Sequence, residues 1–389
     1  METEDTLLRL IPGPLDWSVP WEALERTCLG APLSQMEGVR QNPAYHGEGD
    51  VLTHTRLVCE ALAGLEEFRG LEERRRQAVF LAALLHDAGK ISRTRLEGGS
   101  WTAPYHAAAG AGMARELLWL DGGWCGRTDW QTLRETVCTL IRCHSLPPHA
   151  VYEKDGPRRL FKAAANGELL PEFSIELLCL LAKADILGRV CGDQAELLDA
   201  VELCRAMAEE QGCLTGPRVF PSRQSAFSYF SGRLDTPDCP LYDDAWGEVI
   251  LMCGLPGTGK DTWIARNCPE LPVVSLDAIR AELNIPPVGP QKRVVETARR
   301  RARALLRARR PFVWNATSVT ADLRRGLTEL FTDYRASVRV VYLETEWEEE
   351  LRRNAGRDAA VPEPAIRRML AKLTPPERFE AHRVEWLCV

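Results

Sequence analysis

Val249-Ile-Leu-Met-Cys253 runs directly into Gly254-Leu-Pro-Gly-Thr-Gly-Lys260, and this stretch decides the fold of the C-terminal part of the chain. A short unbroken apolar run reads as a strand covered on both faces. Gly254, Gly257 and Gly259, with Thr258 among them, let backbone N–H groups turn toward phosphate oxygens. A helix starting at Lys260 would point its positive end at the same place. Lys260 would reach the β and γ phosphates of ATP or another NTP. The next position, often Ser or Thr in such loops, is Asp261, and Thr262 follows. A carboxylate is a hard ligand suited to Mg²⁺, so Asp261 and Thr262 are both candidates to hold it.

Working outward, apolar runs at 248–253, 272–276, 312–315 and 338–343 alternate with helix-like segments at 260–267, 291–310, 320–333, 346–355 and 363–373. That alternation predicts an α/β domain with a parallel sheet. Upstream, residues 235–246 carry two prolines and four acids and read as a linker. Before it, 51–66, 72–88, 106–120, 130–143, 172–188 and 194–211 show apolar residues three and four apart, as helices do. No strand is expected before residue 247. The chain is therefore read as multidomain: an all-α domain over 1–234, a linker over 235–246, and an α/β phosphate-loop domain over 247–389.

The length of 389 residues suits two or three domains. No apolar stretch approaches the roughly 20 residues that span a bilayer. The acidic start Met1-Glu-Thr-Glu-Asp5 lacks the basic opening of a secretory signal. Thirteen cysteines, an odd number without a Cys-x-x-Cys pair, fit reduced thiols and a cytoplasmic location without membrane association. The net charge of −6 is uneven: 24 Lys+Arg against 19 Asp+Glu from residue 246 onward is +5, and 25 against 36 before it is −11. The positive part suits a polyanionic partner.

The acidic N-terminal part holds a different constellation. His86-Asp87 closes the apolar run Ala78-Val-Phe-Leu-Ala-Ala-Leu-Leu85, and His46, His54, His106, His144 and Asp185 lie around it in sequence. Imidazole nitrogens with carboxylate oxygens form a set suited to first-row transition metals (Mn, Fe, Co, Ni or Zn). A helical bundle can bring His54, His86, Asp87 and Asp185 to one cation, with His106 and His144 serving a second. Two cations would activate water and neutralise phosphate oxygens. His149 and His382 read as packed or surface residues.

Further phosphate chemistry is suggested downstream. Asp277, in Val273-Val-Ser-Leu-Asp-Ala-Ile-Arg280, is expected at the end of the second strand, where it can accept a proton from an attacking hydroxyl. Arg280 would hold a phosphate of the acceptor; read in isolation, the pair is instead a helix N-cap aspartate with a surface arginine. Arginines in Leu351-Arg-Arg-Asn-Ala-Gly-Arg-Asp-Ala-Ala-Val-Pro362 would close over the phosphates as a lid, or else form a solvated helix face. The helix at 292–310 carries eight arginines and Lys292 outside an apolar face. It is either a solvated face or a track for a nucleic-acid backbone.

The segments His46-Gly-Glu-Gly-Asp-Val-Leu-Thr-His54-Thr, Leu-Leu-His86-Asp87-Ala-Gly-Lys90, His106, Cys-His144-Ser-Leu and Ala-Asp185-Ile-Leu-Gly-Arg189 resemble the HD phosphohydrolase superfamily in order and context. The resemblance implies that His54, His86, Asp87 and Asp185 bind one metal and that His106 and His144 serve a two-metal version. Lys90 and Arg189 become candidates for phosphate contacts, and His46 for a ligand or substrate contact. The phosphate loop, the Ser-x-Asp-x-x-Arg segment, Asn315-Ala-Thr317 and the arginine lid resemble P-loop polynucleotide kinases. That likeness makes Asp277 the general base, Arg280 the acceptor contact, and Arg353 and Arg357 lid residues on the donor, with Arg352 able to replace Arg353.

The two modules in this order resemble the bacterial HD-Pnk end-healing family. The implied partners are RNA or DNA ends, with a separate polynucleotide ligase acting beside the enzyme. The resemblance leaves open the metal, RNA against DNA, and the oligomeric state. Rival readings are a small-molecule kinase fused to an HD nucleotidase and a kinase regulated by a nucleotide-sensing HD domain.

Overall fold

The computed structural model describes residues 2–286, 289–357 and 360–389. The chain divides into two compact units. Met1–Trp124 with Asp129–Val219 form one, and Cys125–Thr128 with Phe220–Val389 form the other.

The first unit is built on helices α1 (Val51–Gly64), α2 (Glu73–Leu85), α3 (His106–Leu120), α4 (Thr128–Cys143), α5 (Ile175–Leu187) and α6 (Gln194–Glu210). Every residue of α2 from Gln77 to Leu85 is buried, so this helix is the hub. A helix apolar all round has no solvent face to show. Helices α1 and α5 pack against it. Each starts from a side-chain cap: Asp50 accepts from Thr53 N at 2.8 Å, and Ser174 accepts from Leu177 N at 3.1 Å. Such a cap stabilises by about 1 kcal/mol. The first unit also contains helices at Gly30–Met36, Pro147–Ala150 and Gly156–Ala165 that periodicity did not disclose.

One expectation is overturned here. Strands β1 (Arg95–Glu97) and β2 (Ser100–Thr102) form an antiparallel hairpin well before residue 247. Three-residue strands are too short to reveal a period of two. The usable signal was Gly98-Gly99, whose φ values of 56° and 84° suit a two-residue hairpin turn.

The second unit starts with α7 (Arg223–Phe230) and continues with β3 (Glu248–Cys253), α8 (Lys260–Asn267), β4 (Val273–Ser275), α9 (Leu276–Leu283), α10 (Lys292–Arg307), β5 (Phe312–Asn315), α11 (Ala321–Asp333), β6 (Ser337–Glu344), α12 (Trp347–Ala355), α13 (Glu363–Leu370) and β7 (Arg383–Cys388). All five sheet strands are parallel, in the order β4-β5-β3-β6-β7. The expected fold class, a helical region followed by an α/β domain, is what the chain adopts. Val249 to Cys253 are each at most 4% exposed, which is why β3 reads as a continuous apolar run. Burying each large side chain contributes about 1.5–3 kcal/mol. On one face Ile250, Met252, Val313, Val341 and Leu343 pack with Ile264 of α8 and with Cys268 just past its end. On the sheet's other side Phe331 of α11 meets Phe312 and Trp314.

Three placements differ from the sequence expectation. β4 ends at Ser275, and Asp277 lies in the first turn of α9, not at a strand end. Ser275 itself caps that helix, accepting from Ala278 N at 3.3 Å. The fifth strand, β7, was not anticipated: Arg383 and Glu385 break up its apolar pattern because it is an edge strand. The boundary between the compact units falls at 219/220, ahead of the expected 234. Phe227 of α7 stacks on His382 at 4.2 Å, and Ser222 Oγ donates to Leu241 O at 2.7 Å. Trp246 Nε1 donates to Tyr334 O at 2.7 Å. Residues 235–246 are irregular but tied to this unit.

Candidate functional site

The helical unit gathers its histidines by a repeated local device. Nδ1 of His86, His106 and His144 lies 2.8, 2.8 and 2.7 Å from the carbonyl oxygens of Ala83, Ala103 and Ile141, three residues earlier in each case. A carbonyl can only accept, so each Nδ1 carries a proton, and in the neutral ring this leaves Nε2 to offer the lone pair. His54 achieves the same orientation differently: its Nδ1 lies 2.9 Å from Glu48 Oε1.

The Nε2 atoms converge on two carboxylates. His54 Nε2 stands 3.1 Å from Asp185 Oδ1, 3.3 Å from His86 Nε2 and 3.7 Å from Asp87 Oδ2. His86 Nε2 is 3.4 Å from Asp87 Oδ2 and 3.8 Å from Asp185 Oδ1. Ligands about 2.0–2.2 Å from a shared cation lie at such mutual separations. On the far side of the same aspartate, His106 Nε2 is 3.4 Å from Asp87 Oδ1. His54, His86 and Asp87 offer donor atoms within 4.8 Å of one another, as do Asp87, His106 and His144. Asp87 thus belongs to both groups, one oxygen toward each.

Glycine permits this approach. A Cβ on Gly89 would lie 2.0 Å from His106 O, so only glycine lets the turn after His86-Asp87 meet the start of α3. All the donors except His106 are almost fully buried, and Asp87 Oδ1 has no hydrogen-bond partner. A buried, unpaired carboxylate oxygen facing imidazole lone pairs is costly unless a cation completes it. The residues present therefore fit a metal.

Charge supports the same reading. Burial opposes ionisation of Asp87, but Lys90 and His86 outweigh it and hold the carboxyl well below its usual range. Arg189 and His54 do the same for Asp185 against its burial. Burial pushes His144 down to about 4, which leaves it a neutral ligand at pH 7. Burial also lowers His54, but Asp185 and Glu48 outweigh it and raise the ring to about 9.

The expected phosphate contacts sit on the ligand carboxylates. Lys90 Nζ lies 2.7 Å from Asp87 Oδ2 and donates to Gln41 Oε1 at 2.6 Å. Arg189 grips both oxygens of Asp185, its Nε at 3.1 Å. His46 does not join the donors around Asp87; its Nδ1 turns to Glu48 Oε1 at 2.9 Å. Glu48, absent from the sequence candidates, therefore pairs through Oε1 with His46, with His54 Nδ1 also 2.9 Å from that oxygen, while Oε2 accepts from Val190 N at 2.8 Å. Its neighbours in sequence are both glycine, and nothing in that context marks it as part of a site.

In the second unit the phosphate loop follows the central strand, where chain order reverses across the sheet and ligands of open α/β sheets bind. Gly254 has φ 142°, and a Cβ there would lie 2.5 Å from Leu343 O. Lys260 Nζ folds over the loop and donates to Leu255 O at 2.6 Å and Gly254 O at 3.0 Å, near Thr258 Oγ1 at 3.4 Å. Burial lowers its pKa to about 8. Asn315, at the end of β5, donates to Asp261 Oδ1 at 2.6 Å; Asp261 and Thr262 are both exposed at the start of α8.

Asp277 is bracketed by guanidinium groups. Arg280 pairs with Oδ1, and Arg357 Nη2 lies 2.8 Å from Oδ2. Arg353 approaches the phosphate loop, since a Cβ on Gly259 would stand 3.6 Å from its Nη1. Glu349 holds both Arg352 and Arg353 at 2.6 Å. Asn354 closes the segment by exchanging hydrogen bonds with Val361, at 2.7 and 3.1 Å; Asp358 and Ala359 lie outside the described residues. Lys260, Asp277, Arg280, Arg353 and Arg357 thus lie along one rim, although Asp277 reaches it from a helix.

These arrangements define a His/Asp donor centre of the phosphohydrolase kind and a phosphate-loop nucleotide site. A family model described as the HD domain matches residues 51–189, and one described as the AAA domain matches residues 249–376. The chain carries an HD phosphohydrolase domain followed by an AAA-type P-loop NTPase domain. The His/Asp clusters lie within the first match. Among the described residues no helix is long and apolar enough to cross a membrane, and all thirteen cysteines are free thiols.

Proposed function

We propose that this is a bifunctional nucleic-acid end-healing enzyme. The P-loop domain phosphorylates 5′-hydroxyl ends of RNA or DNA, and the HD domain hydrolyses 2′,3′-cyclic phosphate, 3′-phosphate or 2′-phosphate ends. The observation that carries the reading is the Asp277–Arg280–Arg357 cluster beside the phosphate loop. A carboxylate flanked by two guanidiniums suits an acceptor with both a hydroxyl to deprotonate and a phosphate to hold.

In the kinase step Asp277 takes the proton of the 5′-hydroxyl as its oxygen attacks the γ phosphorus. The bond to the β-phosphate oxygen breaks and the nucleoside diphosphate leaves. Lys260 and Arg353 neutralise charge on the transferring group, and Arg280 holds the acceptor phosphate. The hydrogen bond from Asn315 that orients Asp261 supports Asp261 over Thr262 as the Mg²⁺ ligand.

At the HD site His54, His86, Asp87 and Asp185 would hold one transition metal, with His106 and His144 serving a second through Asp87. A cation bound there supplies Lewis-acid polarisation and lowers the pKa of water. Arg189 and Lys90 keep the ligand carboxylates ionised and stand beside the position a phosphate would take. A separate polynucleotide ligase would join the healed ends.

The test uses one RNA oligomer with a 5′-hydroxyl and a 2′,3′-cyclic phosphate. The pure protein, ATP, Mg²⁺ and a panel of transition metals are added, and both ends are read by mass spectrometry. Gain of phosphate at the 5′ end with opening or loss at the 3′ end is expected. Phosphorylation of free nucleosides with no change to the oligomer would replace this reading with a small-molecule kinase.

A further inference from the structure

We infer that the outer ridge of α10 is a docking track for the phosphate backbone of a single-stranded polynucleotide whose 5′ end occupies the Asp277–Arg280 site. The inference rests on the proposed kinase function and concerns how that site selects a polymer. Helix α10 buries Val294, Ala298, Ala302 and Leu306. At 100° per residue, Arg293, Arg300 and Arg307 fall diametrically opposite that buried line, seven residues apart. All three are exposed, and among the described residues none of them pairs with an acid. Two neighbouring cations on the helix are held by acids. Arg301 is held by Glu282 of α9 at 2.6 Å, and Lys292 lies 3.9 Å from Glu296. The helix therefore separates a structural arginine from an unpaired ridge.

The ridge begins at the acceptor site. Arg280, which pairs with Asp277, also donates from Nε to Gln291 Oε1 at 2.9 Å, and Gln291 is the residue from which α10 starts. From Arg293 to Arg307 the ridge runs about 21 Å at 1.5 Å per residue. Because α10 leads into β5, which is parallel to β3, it descends from the sheet edge that carries the phosphate loop. A mononucleotide at Arg280 cannot touch this line, whereas a chain of several nucleotides trailing from its 5′ end can. Charge repulsion among three unpaired arginines is relieved by a polyanion, with counterion release adding a salt-dependent gain.

The experiment compares the wild-type chain with the triple variant R293Q/R300Q/R307Q. Glutamine keeps helix propensity, so the fold should persist, which circular dichroism and the melting temperature check. Kinase KM and kcat are measured for a 5′-hydroxyl 12-mer and for a nucleoside 3′-monophosphate between 50 and 300 mM salt. The 12-mer KM should rise tenfold or more with kcat within twofold, and its salt slope should fall by about 2, near 0.7 per lost phosphate contact. The mononucleotide constants should not change. An unchanged 12-mer KM and slope would overturn the track, as would equal losses for both acceptors.

Fluorescence anisotropy of the labelled 12-mer separates the two claims. If neither acceptor is phosphorylated, the kinase reading fails. Salt-dependent 12-mer binding lost in the variant would still support the ridge, and undiminished binding would overturn it. Equally tight binding of a poly-glutamate peptide, lost in the same way, would also overturn the nucleic-acid assignment.

Discussion

Glu48 Oε1 lies 2.9 Å from Nδ1 of both His46 and His54, and this makes His54 unlike the three histidines held by backbone carbonyls. A carboxylate behind a ligand imidazole fixes its tautomer and raises its basicity, and losing such a partner costs about 10–100-fold in metal affinity. Glu48→Gln should therefore lower metal affinity by that order, read by calorimetry, and leave kinase activity unchanged. Retention of wild-type affinity would remove Glu48 from its positioning role. The same environment sets a pH dependence. His54, raised to about 9, carries protons on both nitrogens at pH 7 in the metal-free chain, whereas Asp87, Asp185 and His144 are already in their ligating forms. A cation must displace the Nε2 proton, so affinity should weaken as pH falls below about 9, with about one proton released per cation at pH 7. Calorimetry in buffers of different ionisation enthalpy counts that proton, and a pH-independent affinity would contradict the assignment. At this scale the donor cluster was legible because His86-Asp87 closes the wholly apolar run Ala78–Leu85. Glu48 was not, because nothing in Gly47-Glu48-Gly49 reveals that the loop is held down by Val190.

At the level of elements, α12 ties the lid to the phosphate loop through a buried acid. Glu350 is fully buried with neither carboxyl oxygen hydrogen-bonded, and a Cβ on Gly257 would lie 2.5 Å from its backbone oxygen. Burial pushes its carboxyl from 4.5 up to about 8. The unfolded chain loses this proton at lower pH than the folded one. Glu350's contribution is therefore complete below about pH 4.5 and is lost as pH rises through 8. The penalty above that range is on the order of 4–5 kcal/mol as an upper bound. Glu350→Gln should melt higher than wild type at pH 9 and nearly the same at pH 5 by scanning fluorimetry; a constant difference would mean that titration of Glu350 is not the cause. In the helical unit, Gly89→Ala should drive the turn after Asp87 away from α3, destabilising by about 1–3 kcal/mol or more. It should also reduce metal content, and an unaltered metal content with wild-type melting would show that the approach tolerates a methyl group. Elements with strong periodicity, such as α3 and α8, matched their sequence bounds. The hairpin β1–β2 and edge strand β7 did not announce themselves, because one is three residues a side and the other is broken by charge. Asp277 was misplaced by a single turn because Val-Val-Ser ends a strand and begins a helix with no intervening loop.

Across the whole chain, the two phosphate centres are built from different units and share no residue, and the sequence carries opposite charge balances on either side of residue 246, −11 before it and +5 from there on. Their chemistry should be separable by single substitutions. Asp277→Ala removes a proton acceptor, a loss typically worth about 10²–10⁴ in rate. It should abolish 5′ phosphorylation and leave 3′-end hydrolysis and metal content near wild type. Asp87→Ala removes the one carboxylate that faces both donor groups, so it should eliminate 3′-end hydrolysis and bound metal while ATP-dependent phosphorylation continues. Both activities are measured on the same RNA oligomer, with metal content by plasma mass spectrometry and the fold by melting temperature. Loss of both activities in either variant with the fold intact would mean that the centres do not act independently, and the two-site assignment would fall. Loss of neither in Asp87→Ala, with metal still bound, would move the hydrolytic centre elsewhere. The clean double dissociation is the expected result, because no hydrogen bond or ion pair described at one centre involves a residue of the other.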